Sequence, residues 1–84
     1  MPDLVPDGQG PTEQQLDTRG LSCPLPLLKA KQALNRMQSG ELLRVLATDP
    51  GSVRDFEVFA RQTGHALLVS EQEAGEYRYL LRKA

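Results

Sequence analysis

The chain contains one cysteine, Cys23, in the segment Gly20-Leu21-Ser22-Cys23-Pro24-Leu25-Pro26-Leu27. Two prolines this close fit a helix only in its first turn, where the backbone N–H groups have no intrahelical partner to lose. The segment therefore predicts a helix start, with Cys23 as the N-cap and Pro24 at the first helical position. Pro26 has no N–H, so the amides of Leu25 and Leu27 are the expected donors to the sulfur. A helix N-terminus favours an anion, and only the thiolate is a good nucleophile. Arg19 and Lys29 lie near in sequence and add positive charge. The expectation is a solvent-reachable, acidified thiol. The competing reading is a small buried hydrophobe, the usual fate of a lone cysteine. A cysteine next to proline, after a glycine-containing turn, fits a core position poorly.

Elimination narrows the chemistry. The single histidine, His65, is expected as a solvent-facing residue at the start of the third strand, at the opposite sheet edge from Cys23. A Cys–His hydrolytic pair is therefore disfavoured. One cysteine and one histidine do not complete a tetrahedral metal site, and disulfide exchange within one chain needs a second cysteine. No metal or cofactor is expected. What remains is a thiol that accepts a group from one partner and yields it to another. Two alternatives stand beside it. A non-catalytic regulatory module, binding RNA or protein, predicts that Cys23→Ser leaves function intact. A thiol hydrolase needs a base beside Cys23.

The elements that must position this cysteine follow from periodicity. Leu16 to Thr18 is a short strand, broken by Gly20. After the prolines, Leu27, Ala30, Leu34 and Met37 recur at spacings of three and four, an apolar helical stripe that Gly40 ends. Leu42 to Ala47 is a nearly all-apolar run of strand length. Asp49 and Pro50 shape the start of a second helix from Ser52 to Thr63, with Ser52 and Asp55 as a capping pair and Val53, Phe56, Phe59 and Ala60 as its stripe. Gly64 stops it. A third strand runs from Ala66 towards Glu73, Ala74-Gly75 is a hairpin turn, and Tyr77 to Arg82 is the fourth strand, where Tyr77 and Tyr79 are packing residues. The order β-α-β-α-β-β predicts an α+β fold. It is a two-layer sandwich with both helices on one face of a mixed four-stranded sheet. Two βα units predict parallel neighbouring strands, and the last two strands an antiparallel hairpin. Both helix N-termini then emerge at one edge of the sheet, the edge that hosts sites in open α/β sheets. Arg54 falls in the first turn of the second helix, at that edge. A cation there opposes the helix dipole, so docking of a partner or contact with an anion is the functional reading and a solvated arginine the plain one.

Bulk composition sets the outer limits. Eighty-four residues make one domain with a small core, and Val, Leu and Phe supply a quarter of them, enough to fold. Residues 1–13 hold three prolines and two glycines without periodicity and are expected as a disordered tail, leaving 14–84 as the single domain. A net charge of −1 gives no field for attracting nucleic acid, so direct binding to it is disfavoured. No apolar run approaches the ~20 residues of a membrane span. The N-terminus lacks the basic and apolar regions of a signal peptide. A cytoplasmic monomer is the expectation.

The stretch LDTRGLSCPLPLLKAKQAL resembles the signature of the TusA/SirA-like sulfur-carrier family, a Gly-x-x-Cys-Pro-x-Pro segment after a short strand. TDPGSVRDFEVFARQTGHALL and YRYLLRK are similar to the second half of that family, so the resemblance covers residues 16–82. It implies a fold like the C-terminal domain of a bacterial translation initiation factor. It also implies persulfide formation on Cys23, a sulfur relay rather than a self-contained enzyme. The donor implied is a cysteine desulfurase or another sulfurtransferase. The acceptor is a downstream protein serving tRNA thiolation, molybdenum-enzyme maturation or sulfur oxidation. The tRNA-thiolation branch carries Glu between the prolines, where this chain has Leu25. Asp17 matches the acid at the end of the first strand, either capping the Gly20 turn or serving the site.

Overall fold

A computed structural model describes residues 13–84. The elements are β1 (Glu13–Thr18), α1 (Leu25–Asn35), β2 (Leu42–Ala47), α2 (Ser52–Thr63), β3 (Ala66–Glu73) and β4 (Glu76–Arg82). β1 begins at Glu13, inside the stretch expected as tail, because Glu13 pairs with Leu42 and its carboxylate takes an ion pair from Arg44 at 2.7 Å. The rest of that stretch lies outside the described residues.

The sheet is mixed and four-stranded, in the order β1-β2-β4-β3. β1 and β2 are parallel neighbours, and β4 runs antiparallel to both β2 and β3. The expected adjacency of β2 and β3 does not occur, because β4 lies between them. The reason is amphipathicity. β4 turns Tyr77, Tyr79 and Leu81 to one buried face, whereas β3 is mostly exposed and turns polar after Val69. The strand with the better inward face takes the centre. The polar one takes the edge, where Glu71, Glu73 and an irregularity between Leu67 and Val69 discourage further pairing.

One core lies between the helices and the sheet. Ala30, Ala33, Leu34 and Met37 of the α1 region and Phe56 and Phe59 of α2 pack on Leu43, Val45, Ala47, Tyr77, Tyr79 and Leu81. All four aromatic residues of the chain are in it. Phe56 stacks on Tyr79 with ring centroids 4.5 Å apart. Gly64 takes φ +83°, the left-handed conformation that closes α2, and Ala74-Gly75 make the tight β3–β4 turn with φ of 53° and 77°. No helix among the described residues is long and apolar enough to cross a membrane.

Candidate functional site

Two loops meet at the carboxyl ends of β1 and β2. One runs from Arg19 to Pro24 and carries Cys23; the other, Thr48 to Gly51, leads into α2. They are stitched side by side. The Gly20 amide donates to Thr48 Oγ1 at 2.9 Å, and the buried Thr18 hydroxyl donates to the Leu46 carbonyl at 2.6 Å. The start of α2 is fixed from below by a buried pair of hydroxyls, Ser52 Oγ and Tyr79 Oη, 2.6 Å apart. Asp49 shapes the turn, its Oδ2 accepting from the Gly51 amide at 3.0 Å and its carbonyl from the Ser52 amide at 3.1 Å. Ser52 is therefore not the cap. Gly51 occupies that position and Ser52 is buried.

Cys23 is exposed. The helix begins one residue later than expected, with Pro24 as the cap residue, Leu25 first and Pro26 second. Pro26 is buried and anchors the first turn, and Leu27 packs partly on the core. The Leu25 amide donates to the Ser22 carbonyl at 2.8 Å rather than to sulfur. Cys23 Sγ instead donates to Asp55 Oδ2 at 2.7 Å. That bond is the main cause that pushes the thiol up from its ordinary range, followed by desolvation and by the charges of Asp55 and Asp49. The expected acidified thiol is thus overturned: a carboxylate in direct contact stabilises the neutral thiol. Asp55, assigned from sequence to a capping pair, is the residue that sequence reasoning missed. Its place in the first turn of α2 puts it at the right edge, but its reach to the sulfur depends on how the two loops pack.

Gly51 is the second missed residue. Its φ of −66° suits any amino acid. A Cβ there would stand 2.9 Å from Asp49 Oδ2, 3.4 Å from Cys23 Cβ and 3.6 Å from Cys23 Sγ. Glycine at this position leaves room beside the sulfur.

The remaining predicted residues separate into groups. Asp17 and Arg19 meet each other, through Asp17 Oδ1 with Arg19 Nε and Oδ2 with a guanidinium nitrogen, both at 2.9 Å, and Arg19 also reaches Glu76 at 3.2 Å. Arg19 is thereby spent on the sheet and not on Cys23. Lys29 is exposed on α1. Arg54 is exposed beside Asp55 and has no ion pair among the described residues. Leu25 and Leu28, 43% and 44% exposed, form an apolar surface on the first turn of α1. His65 is half-buried rather than solvent-facing, because its Nδ1 accepts from the Ala84 amide at 2.9 Å and its ring lies on Phe59.

Comparison with known proteins adds to this geometry. The chain is 54% identical over 72 residues to the sulfur carrier protein TusA of Allochromatium vinosum, covering 86% of this chain and 95% of that protein. The crystal structure of a SirA-like protein from Desulfitobacterium hafniense superposes with a TM-score of 0.70 at 25% identity, over 81% of this chain and 93% of that one. The family model for sulfurtransferase TusA matches residues 14–83. With nearly all of the described residues matched, the chain belongs to the TusA family.

Proposed function

We propose that the protein is a sulfur carrier that holds sulfur as a persulfide on Cys23. The observation that carries this reading is an exposed, lone sulfur one residue before the proline cap of α1, with Gly51 beside it. The donor is a protein persulfide, formed on a cysteine desulfurase or another sulfurtransferase. Cys23, giving up its proton, attacks the terminal sulfur of the donor. A Cys23 Sγ–S bond forms, the donor's S–S bond breaks, and the electron pair leaves on the donor's cysteine as a thiolate, which takes up a proton. One thiol and one persulfide are consumed and one of each is produced, so no external oxidant is needed. The same exchange, with a thiol acceptor on a second protein, unloads Cys23. The absence of a second cysteine protects the loaded sulfur from an internal disulfide. Leu25 and Leu28 supply apolar surface on which donor and acceptor dock in turn, each on a single copy of the chain.

The test is loading from a desulfurase and cysteine, read by intact mass. The parent gains the mass of one sulfur, removable by a reducing thiol. Cys23→Ser folds with a stability within about 0.5 kcal/mol of the parent, as expected of an exposed change, and gains nothing. Loading of the serine variant would end this assignment.

A further inference from the structure

The only hydrogen bond of the Cys23 sulfur among the described residues is one that loading must abolish. Unloaded Sγ carries one proton, and it is given to Asp55 Oδ2 at 2.7 Å. Once a second sulfur is bonded to Sγ, that proton is gone. Sγ then presents only lone pairs to a carboxylate oxygen that also has only lone pairs, and attraction becomes repulsion. The side chain has somewhere to go, because Cys23 is open to solvent.

We propose, on the persulfide reading above, that Asp55 is a load-sensing latch, which holds unloaded Cys23 as a protonated thiol turned towards α2 and releases the sulfur outward when it is loaded. The groups that act on the thiol are all acidic: Asp55 from α2 and Asp49 from the preceding loop. Among the described residues no cation opposes them, since Arg19 is held by Asp17 and Glu76, and neither Lys29 nor Arg54 acts on the sulfur. The raised thiol agrees with the geometry. Because the thiolate is the form that is alkylated and oxidised, the latch spares the empty carrier from stray chemistry. It also gives donor and acceptor different surfaces to recognise, a sulfur folded against α2 in one state and a sulfur projecting from the loop in the other.

Two measurements on the isolated protein test this without any donor, so they stay readable even if loading by a desulfurase fails. The first is the alkylation rate of Cys23 against pH in the parent and in Asp55→Asn. Removing the charge is expected to move the profile to lower pH and to speed alkylation at neutral pH. A profile that coincides with the parent's, or moves to higher pH, overturns the proposal. The second uses the parent chain alone, so it holds even if the variant does not fold. Methyl methanethiosulfonate converts Cys23 to a methyl disulfide, replacing Sγ–H by Sγ–S as loading does. A crystal structure of that species is expected to show Sγ moved out of hydrogen-bond distance of Asp55. Sγ still in contact with the Asp55 carboxylate would overturn the latch.

Discussion

Two electrostatic influences compete at Cys23. A helix N-terminus carries roughly half a positive charge, but its effect fades within the first turn. Cys23 stands one residue before the cap of α1, and the Leu25 amide is occupied by Ser22. The Asp55 carboxylate is in direct contact, and contact wins over a fading dipole. Asp17 shows the opposite balance. Hydrogen bonds from the Arg19 side chain and then its amide hold the Asp17 carboxyl at about 2, against an ordinary 3.8. The sign follows from linkage. A carboxylate lowered in the folded state adds stability above its unfolded value of 3.8, and that addition is lost as pH falls towards about 2. Because the pair is open to solvent, the gain is small. Carboxyl NMR titration should place the Asp17 midpoint near 2 in the parent and return it towards 3.8 in Arg19→Ala. A parent midpoint already near 3.8 would show that Arg19 does not hold it.

At the scale of the elements, α2 carries both Asp55 and, at its cap, Gly51, so the site depends on how firmly this helix start is fixed. Two contacts fix it to β4: the Phe56–Tyr79 stack and the buried Ser52–Tyr79 hydroxyl pair. Removing one partner of a buried hydrogen bond leaves the other unsatisfied, at a cost of about 1–3 kcal/mol. Tyr79→Phe keeps the ring and the stack, so it isolates the hydroxyl pair. Urea unfolding should show a loss of about 1–3 kcal/mol in this variant. The double variant with Ser52→Ala should lose less than the two single losses added together, because no unpaired hydroxyl is left buried. Strict additivity would mean that the two hydroxyls do not depend on each other.

The described residues place their chemistry at one sheet edge and Lys83 and Ala84 at the other. Lys83 and Gly40 exchange backbone contacts at the far edge, where the Lys83 amide donates to Glu41 and the Gly40 amide to Lys83, both at 2.9 Å. His65 ties Ala84 down at that edge too. Residues 1–12, with their prolines and glycines and no apolar period, are proposed to be dispensable for stability. Deleting them should leave the thermal midpoint in place, whereas a cut through Glu13–Thr18 removes the strand paired with β2 and should lower it. A fall of several degrees from the shorter deletion would refute the proposal.

Local rules were enough for much of this. Paired prolines mark a helix start, apolar period marks helix and strand, and Gly64 marks the end of α2, whereas α1 closes at Asn35 with Arg36 as its cap, short of the Gly40 expected to end it. From these the sequence itself determined the six elements, the two-layer α+β fold and a cysteine exposed where α1 begins. Three things came only from tertiary structure. The place of β4 between β2 and β3 depends on which of two strands has the better buried face. The burial of Ser52 against Tyr79 depends on a contact across 27 positions. The upward push on the Cys23 thiol comes first from Asp55, 32 positions away and 2.7 Å distant. Sequence spacing carries distance within one helix or strand. Between two loops brought together by a sheet, distance is set by packing, and the charge felt by a thiol follows that distance.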